Sequence, residues 1–411
     1  MRIEVLAWLG LASALAISAS CNLDVSLGRQ RLRSDGGGGE MFNPGTGGDT
    51  CDLLPDADND GDGFLVREGD CNDCDPHVNP NAVEVVHPDP RARPQDEDCD
   101  GAIDEAEPPC DDDLFLDDPD PMNAAHAIEL CKVSSGEGDW GLVEARWTMP
   151  DGSNPPGAFL AAYHLGHGIL PDFGPNVPPR RGSRLLALSS GNARRPGDAD
   201  FAGHEWTVPK GYVGAHPPGF PKESPSCPDV VDTSPVNRDA VALEVTVRAP
   251  SNAYGLSFDF DFYTYEWPEF ICSEFNDFFV ALLWPPPPSR PDGNISFDSK
   301  GNPVSVNNAF LEVCGCLGNP PNPCWAGTKI FNCELGNSEL VGTGFGYHTE
   351  GEDHAATSWL VTRAPVVPSS TFRLRFAIYD SVDHNFDSSV LIDNWRWIAR
   401  PGTDVTTEPV P

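Results

Sequence analysis

Residues 51–120 carry 24 aspartates and glutamates against three arginines, Arg67, Arg91 and Arg93, a local net charge of −21. Such a segment does not collapse by itself, because its like charges repel and it has little apolar surface to oppose them. It folds only if cations neutralise it or covalent links hold it, and it contains Cys51, Cys71, Cys74, Cys99 and Cys110. The whole chain of 411 residues has a formal net charge of −37. That balance excludes nucleic acid and an anionic membrane surface as main partners and favours cations.

The acids follow a pattern. Asp56-Ala57-Asp58-Asn59-Asp60-Gly61 and Asp96-Glu97-Asp98-Cys99-Asp100-Gly101 place carboxylates at alternate positions and close on a glycine. This spacing wraps hard oxygen ligands around one ion of calcium size, the glycine allowing the sharp turn. The second run continues to Asp104 and Glu107, which completes the D-x-D-x-D-G-x5-E pattern of an EF-hand loop; the first has Arg67 where that glutamate would stand. Pro55 precedes the first run and Pro108-Pro109 follow the second, so neither has flanking helices. Bare calcium loops in a disulfide framework are expected, with Asp56, Asp58, Asp60, Asp62, Asp96, Asp98, Asp100, Asp104 and Glu107 as candidate ligands. Cys71-x-x-Cys74 also admits half a zinc site or a redox pair, the lesser reading for an exported chain.

Between the runs lie Asp70-Cys71-Asn72-Asp73 and Pro80-Asn81-Ala82-Val83-Glu84, and the second run closes as Asp96 to Glu105. With the opening Asp56 to Gly61, these steps resemble the metal-binding motif named after the MopE protein. The family label mentions copper. Chemistry favours calcium, since copper prefers imidazole or soft sulfur and the segment offers only His77 and His87, with its cysteines expected in disulfides. Copper is kept as the alternative cofactor.

At the N-terminus, Val5 to Ile17 form an apolar run too short to span and stay in a bilayer, followed by Ser18, Ala19, Ser20 and Cys21. Residues 1–20 read as a signal peptide. A leader that stops just before a cysteine resembles a bacterial lipoprotein signal. That implies acylation of Cys21 and contact with the membrane through this lipid only, in the cell envelope, at the outer membrane or cell surface. Secretion with a free Cys21 is the alternative. Residues 21–50, with a glycine run from Gly36 to Gly39, read as a flexible tether. Export favours pairing of the other twelve cysteines, Cys51, Cys71, Cys74, Cys99, Cys110, Cys131, Cys227, Cys272, Cys314, Cys316, Cys324 and Cys333. Five lie at or before Cys110 and seven at or after Cys131, so full pairing needs a bridge between the groups, and Cys110 to Cys131 is the economical one.

Beyond a short helix expected at Asp120-Pro121, the period is two. Val241, Leu243, Val245 and Val247 alternate with polar or small residues, as do Leu256, Phe258, Phe260 and Phe262, and again Phe372, Leu374, Phe376 and Ile378. Such strands predict a mainly β fold, an antiparallel jelly-roll-like β-sandwich over residues 121–400, preceded by the loop-rich, disulfide- and calcium-stabilised module of 51–120. The stretches from Pro285 to Pro288 and Cys314 to Cys333 read as insertions rather than strands, and 401–411 as a disordered tail.

Glu266-Trp267-Pro268-Glu269-Phe270, Phe275-Asn276-Asp277-Phe278-Phe279, Val306-Asn307-Asn308 and Asp387-Ser388-Ser389-Val390 occur in that order. Together they resemble the choice-of-anchor L domain of secreted bacterial proteins, which implies display at the cell surface and supplies no reaction. Asp380, Asp383 and Asp387 share a predicted loop, where they either cap backbone N–H groups or form a second, weaker cation site. Glu266 and Glu269 admit the paired acids of a glycosidase, and Trp267, Phe275 and Phe278 admit sugar stacking, with loop ordering and core packing the simpler accounts. No catalytic motif is found. The expected function is a surface lipoprotein whose calcium-binding spacer presents a β-sandwich to a protein or glycan ligand. A carbohydrate-active hydrolase and an envelope copper-binding protein are the alternatives.

Overall fold

A computed structural model describes residues 56–86, 93–204, 210–230, 233–307, 310–315, 324–326, 329–346 and 354–410. The leader, Cys21, the tether, Cys51 and Cys316 lie outside the described residues. Fifteen strands are described in chain order: β1 (Gly141–Thr148), β2 (His167–Leu170), β3 (Leu185–Ser189), β4 (Val213–Gly214), β5 (Asn237–Arg248), β6 (Gly255–Thr264), β7 (Asp277–Trp284), β8 (Val313–Gly315), β9 (Cys324–Ala326), β10 (Lys329–Phe331), β11 (His354–Ala356), β12 (Leu360–Pro365), β13 (Thr371–Asp380), β14 (Ser388–Ile398) and β15 (Thr406–Pro409).

They form two large antiparallel sheets. One runs β1-β5-β13-β7 with β4 beside β5; the other runs β15-β12-β6-β14-β3-β2, with β11 joining β6 to β8. The alternating residues face each other across this sandwich. Val241, Leu243, Val245, Phe258, Phe260, Phe262, Leu374, Phe376 and Ile378 share one buried cluster, and Phe258 meets Phe376 edge-on at 4.8 Å between ring centres. Each such side chain contributes roughly 1.5–3 kcal/mol by leaving water.

The polar half of the alternation departs from expectation. A sandwich with wet outer faces would expose Asp259 and Asp261, yet both are buried. A second apolar cluster, with Phe173, Val177, Tyr263, Val313 and Phe345, covers the outside of that sheet. The buried acids find partners: Asp259 accepts from Arg180 and Asn394, and Asp261 accepts from Tyr263 at 2.8 Å. On the other sheet, Glu244 of β5 is buried and bridges Arg146 of β1 to Arg375 of β13.

Two further expectations are corrected. Residues 401–411 are not simply a disordered tail: β15 pairs with β12 from Leu360↔Pro409 to Arg363↔Thr406, and its threonine Thr407 hydrogen-bonds Thr362 at 2.9 Å. β-branched residues satisfy the open edge of β12 there, and polarity hid them. The Cys314 to Cys333 stretch holds β9 and β10, a small hairpin, besides part of β8. The helix start at Asp120 is present, since its side chain caps the N–H of Met122 in α1 (Pro121–His126).

Disulfides join Cys71 to Cys99, Cys110 to Cys131, Cys227 to Cys272 and Cys314 to Cys333. Cys74 is disulfide-bonded too, so Cys71-x-x-Cys74 is neither a thiolate zinc pair nor a dithiol. Among the described residues no helix is long and apolar enough to cross a membrane.

Candidate functional site

The acidic module folds around its own carboxylates. In the first loop Asp58 accepts from the N–H groups of Gly61 and Gly63, Asp60 from that of Asp62, and Asp62 from that of Phe64. Gly61 and Gly63 have φ of +83° and +98°, which lets the chain turn back onto Asp58. Asp56 does not turn inward: it pairs with Arg67 at 2.6 Å, both exposed. The loop closes with an ion pair where an EF-hand would place a twelfth-position ligand.

Two residues from the centre of the motif complete this site. Asp70 and Asp73 bring carboxylate oxygens within 4.8 Å of Asp60, and Asp58, Asp60 and Asp62 form an overlapping group. Asp60 Oδ2 and Asp70 Oδ2 are buried with no hydrogen-bond partner among the described residues. Burial, followed by the charges of Asp62, Asp60 and Asp73, pushes Asp70 up to about 6, and burial raises Asp60 and Asp62 as well.

The second loop is organised by a residue outside it. Glu84 accepts from the N–H groups of Glu97 (2.8 Å), Asp98 (3.2 Å) and Asp104 (2.7 Å). Its oxygens belong to two close groups, one with Glu97 and Asp104, the other with Asp96 and Asp98. Asp96 Oδ1, Asp104 Oδ1 and Glu105 Oε2 are buried without a hydrogen-bond partner among the described residues. Burial pushes Glu97 up to about 7 and raises Glu84. Asp100 accepts from the N–H of Ala102. Glu107 is raised by burial against the opposing charges of Arg181 and Lys132, and Arg181 donates to its backbone carbonyl. Glu84, Asp70 and Asp73 were absent from the ligands chosen by loop spacing; the signal was the P-x-A-x-E and D-C-N-D steps.

These donors fit a hard cation. Every side chain in the two sites is a carboxylate, whereas His77 packs edge-on to Tyr254 of the sandwich. A further group, Cys110, Glu129 and Cys131, holds no thiolate because its cysteines are bonded to each other.

The module is docked on the sandwich rather than held apart from it. Asn79 donates to Asp62 at 2.8 Å and accepts from Ser251 at 2.8 Å, so one side chain links the first carboxylate site to the loop before β6. Val83 and Asn252 exchange two hydrogen bonds.

The acids of the sandwich are disposed differently. Asp380 is buried and accepts from the N–H groups of Val382 and Asp383, the capping role. Across the sheet it faces Asp277, whose N–H donates to Glu266 and whose Oδ2 accepts from Ser190 at 2.6 Å. Burial pushes Asp277 up to about 7 and raises Glu266 and Asp380 strongly. Asp387 is buried in the loop between β13 and β14, its N–H bonded to the carbonyl of His204. Glu266 is buried while Glu269 is exposed, so they do not flank one open cleft as a glycosidase pair must. Trp267 and Phe278 belong to the core, which is the simpler of the two accounts the sequence offered and leaves sugar stacking on them without support.

Residues 223–395 match the family model of the Choice-of-anchor L domain. The match points to a surface-associated β-sandwich protein. It starts after β4 and ends within β14, so β1 to β4 and β15 complete the two sheets from outside the matched segment. No curated protein and no solved structure matches the chain.

Proposed function

Taking residues 223–395 as a choice-of-anchor L domain, we propose that this chain is a surface-displayed binding protein whose acidic module is a calcium-loaded brace. Lipid at Cys21 would hold it to the cell envelope, and the β-sandwich would present the ligand-binding surface. The observation that carries the calcium reading is the set of buried carboxylate oxygens without hydrogen-bond partners among the described residues, Asp60 Oδ2, Asp70 Oδ2, Asp96 Oδ1 and Asp104 Oδ1, in two groups of like charge. Unpaired anions packed this closely are costly, and a divalent cation removes the cost while using the free lone pairs.

Asp58, Asp60, Asp62, Asp70 and Asp73 would hold one ion, and Glu84, Glu97, Asp104, Asp96 and Asp98 would hold the other. Calcium supplies charge neutralisation and fixes the loops. The chain's own part is to transmit that order: Asn79 carries it to Ser251, and the Cys71–Cys99 bridge ties the loops together. An all-oxygen donor set argues for calcium over copper. Acylation of Cys21 rests on the leader pattern alone.

The test is calorimetric titration and thermal melting of the purified chain after chelation. Calcium should bind and raise the melting temperature, by an amount that grows with the logarithm of its concentration above Kd. Copper binding at higher affinity with no calcium response would refute the reading. Mass analysis of the membrane fraction, with Cys21→Ser as control, tests the lipid.

A further inference from the structure

We propose that Asp111 and Glu129 hold a further hard cation, of calcium size, enclosed against the Gly182 turn where the acidic module ends. This site is separate from the two carboxylate groups of the module and does not rest on them.

The chain brings its two acids together. Asp111 follows Cys110, Glu129 stands two residues before Cys131, and these cysteines are bonded to each other. Glu129 lies just past α1 with φ of +71°, a left-handed conformation in which glycine or asparagine is usual. The neighbouring Ile128 carbonyl accepts from the N–H of Trp395 at 2.9 Å. Gly182 supplies the third wall. Glu129 Oε1 and both carboxylate oxygens of Asp111 lie within 2.6 Å of the point that a Cβ on residue 182 would occupy. The three oxygens therefore converge on one cradle, which exists because residue 182 has no side chain. Asp393 accepts from the N–H groups of Arg180 and Arg181 and so fixes the turn that bears this glycine.

The converging charges are left uncompensated by the chain. Asp111 is fully buried and Glu129 is 4% exposed, and Asp111 Oδ1 and Glu129 Oε1 have no hydrogen-bond partner among the described residues. The donors nearby serve the other two oxygens: the N–H groups of Ser183 and Arg184 go to Asp111 Oδ2, and Arg181 approaches Glu129 Oε2 at 3.6 Å. Burial, followed by the charge of Asp111, pushes Glu129 up to about 7. Two buried anions aimed at one point are strongly unfavourable unless something positive stands between them.

The surroundings select the occupant. Both unpartnered oxygens are closed off from solvent, so what they meet is small enough to be enclosed, which excludes a sugar or a peptide. Two carboxylates exclude an anion. A soft metal finds no thiolate, because Cys110 and Cys131 are oxidised. Oxygens no more than twice 2.6 Å apart suit calcium, whose ligands stand about 2.3–2.6 Å from the ion.

Native mass spectrometry of the purified full chain, equilibrated with calcium, counts the ions held. Glu129→Gln and Asp111→Asn keep the shape of each side chain and remove one charge, and each should hold one ion fewer than the parent, with melting curves recorded to show that the variants fold. Gly182→Ala leaves both acids and puts a methyl group into the cradle; it should lose the same ion and serves as the reading should a charge variant not fold. An ion count that these substitutions leave unchanged overturns the proposal, the pair then sharing a proton instead. Asp70→Asn separates this site from the module. If it removes an ion and Glu129→Gln removes none, the Gly182 site falls and the module's calcium stands; the opposite pattern keeps the Gly182 site and refutes calcium at Asp70.

Discussion

Replacing Glu84 with glutamine separates the two roles of this carboxylate. Glu84 accepts three backbone N–H groups from the second loop, and its oxygens lie within 4.8 Å of those of Glu97 and Asp104. Glutamine keeps one acceptor oxygen, so with the carbonyl at the Oε1 position it retains Glu97 and Asp98 and turns its amide toward the N–H of Asp104. Losing that charge-assisted bond costs about 1.5–3 kcal/mol. Against it stands the relief of repulsion: two like charges 4.8 Å apart interact by roughly 3–4 kcal/mol at an effective dielectric constant of 20, and solvent at this partly exposed site reduces that to about 1–2 kcal/mol. Without calcium the terms nearly cancel, and the variant should melt close to the parent. With calcium the repulsion is already neutralised and a ligand charge has gone, so affinity should fall by about 10- to 100-fold. Paired melts in calcium and in chelator, with calorimetry for affinity, read both. An equal melting difference in the two conditions, or an unchanged calcium Kd, would refute Glu84 as a cation-site residue.

The pH dependence of the sandwich has a definite sign. Asp277 rises from its ordinary 3.8 to about 7 through burial, so the folded state holds its proton more tightly than the unfolded one. Its contribution is complete below about 4 and is lost as pH rises through 7, so chelated protein should melt higher at pH 5 than at pH 8 and Asp277→Asn should flatten that difference; an unchanged slope in the variant would count against it. Glu244→Ala leaves Arg375 buried beside no acid, and chemical denaturation should show a loss of about 3–5 kcal/mol. Replacing Cys110 and Cys131 with serine opens a loop with a sequence separation of 21, for which chain entropy gives a loss of about 3 kcal/mol, measurable in urea with disulfides otherwise intact.

The apolar stripes of β5, β6 and β13 could be read directly, because a period of two with large side chains admits one packing partner, another such stripe. What covers the far side of a sheet is not written in the strand itself. Asp259 and Asp261 look like solvent-facing residues by alternation, and their burial depends on Phe173, Val177 and Phe345, which lie tens of residues away. The same holds in the acidic module. Loop spacing identifies Asp58, Asp60, Asp96 and Asp98, whereas Asp70, Asp73 and Glu84 arrive by the fold of the intervening chain. Asp56 and Arg67 show the converse, since a residue in the correct ligand position turns outward to a neighbouring cation.

The last strand bears on how copies of this protein behave side by side. A β-sheet that ended at β12 would offer a row of unused N–H and C=O groups to any neighbour, which is the usual start of edge-to-edge association. β15 covers that row with four residues, and Pro409, which has no N–H, sits at its end. The sheet therefore finishes in a strand too short and too poor in donors to recruit another copy. Where many copies crowd one surface, they can stand close together without zipping into a shared sheet.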